Sequence, residues 1–312
     1  MIVRHKIASP PLRGLPAGPV PLALWEHSGK SPGARPVLYI HGATFPIGLA
    51  FTFPFDGLSW ADQLARDGLW PWGLDFAGFG DSQIDWDAIE SANEPFGRSS
   101  DGARQIEAAC LHIAEHTGAR TIDIIAHSWG TIPARLVAAQ RPDLVGKLVL
   151  FGPIARRDGT DRPPIEAASR LIGIEDQHRR FTADVPHSHQ PVLSDRHFAR
   201  WAECYLDSDA ASRTRTPPAV CVPAGPAADI RDAWSGAAPN DLRRVTAPVA
   251  IIRGEWDSLC TDEDAANLLA ELGAACERRD TKLPRGTHLM HLEEGRMALW
   301  DAATEFLHGV GQ

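Results

Sequence analysis

The chain has 312 residues, which accommodates one large α/β core with an insertion. Its 44% hydrophobic and 23% charged residues are ordinary for a globular protein, and a net charge of −9 with no Lys/Arg cluster argues against nucleic-acid or anionic-membrane partners. Cys110, Cys204, Cys221, Cys260 and Cys276 are odd in number, scattered and never in CxxC spacing, which disfavours a disulfide framework and a zinc site.

Residues 1–30 mix Pro and Gly with short apolar pairs, a pattern of edge strands and turns. Met1–Pro11 holds no signal-like apolar run and no apolar run of about 18 residues occurs anywhere, so a cytoplasmic location is expected. Val37–Ile40 is a buried strand running into His41-Gly42. A helix is predicted over Leu58–Arg66 and a second strand over Trp70–Phe76, closing with Ala77-Gly78-Phe79-Gly80-Asp81-Ser82. A long helix follows over Asp101–His116, with Ile106, Ala109, Cys110 and Ile113 on one face. The apolar run Ile122–Ile125 then gives way to Ala126-His127-Ser128-Trp129-Gly130 and a helix over Thr131–Gln140. Lys147–Phe151 makes a further strand. Such alternation implies a mostly parallel, twisted sheet with helices on both faces.

The alternation stops between Pro153 and Asn240, a stretch rich in Pro, Arg, His and Ala with no apolar run of strand quality. Helices are expected at Ile165–Ile172 and Arg196–Leu206, so 153–240 reads as an inserted, mainly helical cap. Residues 1–152 and 241–312 form the core. Regularity resumes with a strand at Val249–Ile252, a helix over Asp262–Leu272, a strand near Glu277–Leu283, the loop Gly286-Thr287-His288 and a final helix over Glu293–Leu307.

A buried strand that breaks into a helix through small-x-Ser-x-Gly is the form of a nucleophile elbow. Ala126 and Gly130 are small enough for strand and helix to approach, and Ser128 is forced above the sheet. A serine hydroxyl needs an imidazole to take its proton, and the imidazole needs a carboxylate to fix its tautomer. Asp257, after the Val249–Ile252 strand, and His288, after the last strand, are the candidates on the same sheet edge. Glu255 lies nearer its strand end than Asp257. Asp262 and Asp264 suit the start of the following helix, where carboxylates complement the dipole. His291 is expected at the start of the last helix, and the side chain of His127 should point away from that of Ser128. His187 and His189 lack a third metal ligand, and His178 and His197 with them read as surface residues.

With these segments in order, the chain resembles the α/β-hydrolase fold superfamily in its capped, serine-esterase-like branch, over about residues 35–308. His41-Gly42-Ala43-Thr44 matches the family's HG loop. Asp75-Phe76-Ala77-Gly78-Phe79-Gly80-Asp81-Ser82 matches its D-x-x-G-x-G-x-S turn, and Gly254-Glu255-Trp256-Asp257 and Gly286-Thr287-His288 match the acid and base loops. The resemblance implies a Ser128–His288–Asp257 triad and an oxyanion hole of the Ala43 and Trp129 backbone N–H groups. It also implies a pocket bordered by Thr44 and Phe45, and no metal or cofactor. Ser128 stands where epoxide hydrolases and haloalkane dehalogenases carry Asp. The expected activity is hydrolysis of a small or medium-sized, apolar carboxylic ester or lactone, with no nucleic-acid or membrane partner. Cleavage of a C–C bond in a diketone, amide hydrolysis, acyl transfer and slow-turnover ligand reception remain open on the same residues. Phe198 and Trp201 are expected to shape substrate choice from the cap.

Overall fold

The computed structural model describes residues 1–15, 18–89, 94–159, 163–237 and 242–309. Strands β1 (Ile2–Ala8) and β2 (Pro21–His27) pair antiparallel, the edge arrangement expected of the first 30 residues. There follow β3 (Arg35–Ile40), helix α1 (Trp60–Arg66), β4 (Leu69–Leu74) and the short α2 (Trp86–Ile89). Then come α3 (Ser99–Thr117), β5 (Ile122–His127), α4 (Thr131–Gln140) and β6 (Val145–Phe151).

The inserted segment contains β7 (Ser169–Gly173), α5 (Ile174–Thr182), α6 (Asp195–Asp207), β8 (Ala219–Pro223) and α7 (Gly225–Trp234). The chain re-enters the core at β9 (Val249–Gly254) and continues through α8 (Asp262–Glu271), β10 (Arg278–Leu283) and α9 (Arg296–His308).

The main sheet has eight strands in the order β1-β2-β4-β3-β5-β6-β9-β10. Strands β4 to β10 of that order run parallel, and β1 and β2 form an antiparallel edge. Successive residues of β3 serve opposite faces, as the strand period of two requires. Tyr39 stacks on Phe51 and meets Trp60 of α1 edge-on, and Trp60 stacks on Trp300 of α9. Its neighbour Ile40 lies instead beside Gly130, at the start of α4. Helices α1 and α9 pack together, as do α3 and α4. The helix starts carry local chemistry that the sequence foreshadowed. Ser59 and Asp62 make a capping box on α1, and Thr261 and Asp264 make one on α8.

Two expectations for 153–240 need correction. Ile165–Ile172 is not helical: its last residues belong to β7, and the helix begins only at Ile174, after Gly173. The segment also does hold a strand-quality run, Ala219-Val220-Cys221-Val222, which pairs antiparallel with β7 in a separate two-stranded sheet. A two-stranded ribbon takes its stability from what it packs on, so no long apolar alternation announces it. The expected helix Arg196–Leu206 is present as α6. The end of the insertion at 240/241 lies outside the described residues. Among those described, no helix is long and apolar enough to cross a membrane.

The D-x-x-G-x-G-x-S turn positions the loop after β3. Buried Asp75 accepts the Ile47 amide at 2.9 Å on one oxygen and the Asp81 amide at 3.1 Å on the other. Ser82 donates to the Asp75 carbonyl at 2.7 Å and accepts the Ala23 amide at 2.8 Å. Burial pushes the Asp75 carboxyl up to about 7 despite those two donors.

Trp201 clamps the insertion to the core. It is buried, donates its indole N–H to the Leu49 carbonyl at 2.9 Å, stacks on Tyr205, and meets Phe45 and Phe181 edge-on. Trp201→Ala should therefore cost about 3–5 kcal/mol of stability in urea unfolding. A melting temperature within about 2 °C of wild type would contradict this packing role.

Candidate active site

Strand β5 ends at His127, and Ser128 begins a helical turn, Ser128–Gly130, that feeds α4. Ser128 has φ +53°, a left-handed conformation that costs a non-glycine residue about 1 kcal/mol. The turn is this tight because backbone packs on backbone. A Cβ on Gly130 would collide with the His41 carbonyl oxygen, and one on Gly42 would lie 3.2 Å from the Ser128 Cβ. Ala126 is fully buried in the strand beneath.

His288 Nε2 lies 2.8 Å from Ser128 Oγ, and His288 Nδ1 lies 3.0 Å from both oxygens of Asp257. Nδ1–H donates to the carboxylate, so Nε2 is left to accept the serine proton. Asp257 Oδ1 also accepts the Leu259 and Cys260 amides at 2.9 and 3.1 Å, which fixes its rotamer. The acid and base loops meet where the sequence punctuates them with glycine. A Cβ on Gly254 would overlap the Gly286 carbonyl, and the Trp256 amide donates to that same carbonyl at 2.9 Å. Gly152, at the end of β6 with φ +52°, lies against the imidazole and carboxylate. A Cβ there would fall 3.0 Å from His288 Nδ1 and 3.1 Å from Asp257 Oδ2.

The rivals for these positions are engaged elsewhere. Glu255 is exposed and accepts the Arg285 amide at 3.0 Å. Asp264 pairs with Arg157 and caps α8, and Asp262 pairs with Arg253 and Lys282. His178, His187 and His189 are exposed, whereas His197 is half-buried and 3.3 Å from Asp56.

Three further histidines are buried around the site. His41 Nδ1–H donates to the Gly42 carbonyl at 2.8 Å, and Nε2 accepts the Phe76 amide at 3.2 Å, tying the HG loop to the end of β4. Burial lowers its pKa to about 4. His127 packs and hydrogen-bonds beside the site. It stacks on Phe151, donates Nε2–H to the His288 carbonyl at 3.0 Å and borders the cavity at Ser128. His291 is not at the start of α9 either. It sits in the turn Met290–Leu292, buried, 4.5 Å ring to ring from His127, with neither ring nitrogen hydrogen-bonded. Burial and then the neighbouring His288 push His291 down to about 3, and burial pushes His127 well below the usual imidazole range. Both stay neutral, so no second cation competes with His288 for Asp257.

Over Ser128 lies a cavity of about 230 Å³. Ala43, Thr44 and Phe45 form one wall, and Leu259 and Leu289, from the acid and base loops, form another. Arg180, Ala183 and Asp184, at and just beyond the end of α5, close the third. The expected cap residues Phe198 and Trp201 do not border it: both pack against Phe181, and Trp201 reaches the core at Leu49 and behind Phe45. Nor do Trp129 and Trp256 border it. The Trp129 indole donates to buried Asp229 at 2.8 Å, and Trp256 packs on His189.

Residues 37–301 match the sequence model of the alpha/beta hydrolase family. The chain belongs to that family. This hydrolase also resembles solved structures across nearly its whole length. A thermophilic esterase from Thermogutta terrifontis, solved with malate bound, is 18% identical with TM-score 0.60, covering 99% of this chain and 100% of the other. A serine hydrolase involved in carbazole degradation is 17% identical with TM-score 0.66, covering 99% of each. A haloalkane dehalogenase variant from Bradyrhizobium elkanii is 20% identical with TM-score 0.59, covering 99% and 97%. At such identities these likenesses establish the fold. Among curated protein sequences, none matches this hydrolase.

The motifs marked the loops that meet but not the side chains that hold them. Asp229 accepts from Trp129, from the Ser99 amide at 2.6 Å and from Arg98 Nε at 2.7 Å, binding the elbow to α3 and α7. No sequence signal singles it out, since its partners come from two other elements. Arg180 and Asp184 were equally hidden in a charge-rich stretch.

Two consequences are measurable. Gly152→Ala places a methyl against the imidazole–carboxylate pair, and kcat/KM should fall by about 100-fold while the melting temperature drops only a few degrees. Unchanged kinetics would show that the pair tolerates displacement. The second concerns pH. Folded His291 stays neutral down to about pH 3, whereas the unfolded imidazole takes up a proton below about 6.5. The unfolded state thus binds more protons, and this contribution to stability is lost as pH falls through 6.5. His291→Phe removes the effect, so relative to wild type the variant should gain about 2 kcal/mol between pH 7 and pH 5 in urea unfolding. A pH-independent difference would refute the neutral buried imidazole.

Proposed function

We propose that this chain is a serine hydrolase that cleaves a carboxylic ester or lactone through an acyl-enzyme. One observation carries the reading: Ser128 Oγ is 2.8 Å from the nitrogen of an imidazole whose other nitrogen is bonded to a buried carboxylate. Ser128 Oγ attacks the carbonyl carbon as His288 Nε2 takes its proton, and Asp257 stabilises the imidazolium that forms. Negative charge collects on the carbonyl oxygen, for which the Ala43 and Trp129 amides are the proposed donors. The Trp129 amide is in the first turn of a helix and so lacks an intrahelical partner. Ala43 borders the cavity from the facing loop. Each such donor lowers the barrier by about 3 kcal/mol.

His288 returns its proton to the departing alkoxide, or to the alcohol arm of a lactone. Water, deprotonated in turn by His288, then releases the acid and restores Ser128. The segment 153–240 acts as a cap in this scheme, because the end of α5 walls the cavity and sets which acyl or alcohol group fits. The scheme uses side chains and backbone amides alone.

Ser128→Ala should lower kcat on a small activated ester by at least about 10³-fold with the melting temperature nearly unchanged. A fluorophosphonate probe should label wild type at one residue, and EDTA should leave the rate as it was. Labelling that persists in Ser128→Ala, or activity lost to EDTA and restored by zinc, would sink the mechanism.

A further inference from the structure

Two ionisable side chains contributed by the end of α5 border the cavity over Ser128, and they differ in what occupies them. Asp184 Oδ2 accepts the Ser258 amide at 3.4 Å, which ties it to the loop carrying Asp257. Arg180 makes no hydrogen bond or ion pair among the described residues. Its neighbour in sequence, Arg179, pairs with Asp176 at 3.3 Å, one turn earlier on the same helix. Arg180 therefore stands at the cavity, reached by solvent, with no carboxylate at ion-pair distance among the described residues, although Asp176 of the same helix lies near enough to favour its charge. A guanidinium in that setting gains most from an anion delivered with the substrate, since its planar fork matches a carboxylate with two parallel N–H donors.

We infer that Arg180 is an anion subsite, and that the ester cleaved at Ser128 carries a carboxylate on a short chain, as in the half-ester of a small dicarboxylic acid. The inference rests on the serine-hydrolase reading above and replaces the apolar substrate expected from sequence. The cavity of about 230 Å³ falls below the roughly 300–1,000 Å³ typical of sites for drug-sized ligands, which suits a substrate of few heavy atoms. Asp184 adds a constraint: a second negative charge in the same cavity would meet a carboxylate, so a monoanion is favoured over a dianion. Helix position offers a plainer role for Arg180, because a cation in the last turn of α5 complements the helix dipole. That role would leave substrate ranking untouched, and the two accounts therefore separate experimentally.

The test compares monoethyl succinate with ethyl 4-methylpentanoate, in which an isopropyl group replaces the carboxylate, by pH-stat titration. Wild type should favour the anionic ester by about 10-fold or more in kcat/KM. Arg180→Met should lower that ratio by about 10- to 100-fold through KM, with part of it recovered in Arg180→Lys. An equal ratio in wild type and Arg180→Met would overturn the subsite, as would a preference for a cationic ester that disappears in Asp184→Asn. Calorimetry of monoethyl succinate on Ser128→Ala keeps the question apart from the chemistry. Binding that weakens about 10-fold when Arg180→Met is added supports the subsite even if the serine mechanism fails, and equal binding refutes it even if the mechanism holds.

Discussion

Backbone at the carboxyl edge of the sheet comes closer together than a Cβ would allow, and the rest of the site follows from that approach. Gly130 lies against the His41 carbonyl, Gly42 against the Ser128 Cβ, and Gly254 against Gly286. Gly152 leaves room for the imidazole and carboxylate themselves. Five parallel strands, β3, β5, β6, β9 and β10, deliver these loops side by side, because neighbouring strands sit only about 4.8 Å apart and all end on one edge. Residues far apart in the chain thereby reach hydrogen-bond distance without long side chains that would have to be ordered first.

Closeness alone would not keep the charges in order. The site is crowded with imidazoles: His41, His127, His288 and His291 all lie buried at this edge, and His41, His127 and His291 are held neutral by loss of water. Their neutrality leaves Asp257 with a single cationic partner when His288 takes up a proton. His41 and His127 use their nitrogens to tie loops together, the first bridging Gly42 and Phe76, the second holding the His288 carbonyl. His291 ties nothing, and its two unpartnered nitrogens are a cost the fold carries beside its reactive centre. Asp229 performs the matching task behind the elbow, where one buried carboxylate joins Trp129, the residue after Ser128, to two helices.

The insertion works by different physics. Its two-stranded ribbon and helices are anchored through side-chain contacts, such as Trp201 to the Leu49 carbonyl and Asp229 to Trp129 and Arg98. Its contribution to the cavity comes from the end of one helix and the residues just beyond it, where Arg180, Ala183 and Asp184 form a wall. A core built on close backbone approach with an insertion held by side-chain contacts allows the two to change independently.

Sequence by itself determined the elements of the core and the order of the loops that converge. Strand runs such as Val37–Ile40 and Val249–Ile252 are buried on both faces, and glycines such as Gly130 and Gly254 stand where no Cβ fits, so each leaves a local mark. The pairing of Asp257 rather than Glu255 with His288 is what the family resemblance of the Gly254-Glu255-Trp256-Asp257 loop implies, since both carboxylates follow the strand. What tertiary structure alone decided lies in contacts between elements distant in the chain. These are the β7–β8 ribbon, the Asp229 link to Trp129, the burial of His291 beside His127, and the placing of Arg180 rather than Phe198 or Trp201 at the cavity. Those outcomes depend on which surfaces meet once the sheet has formed, and no periodicity or turn residue within a single segment encodes a partner that another segment supplies.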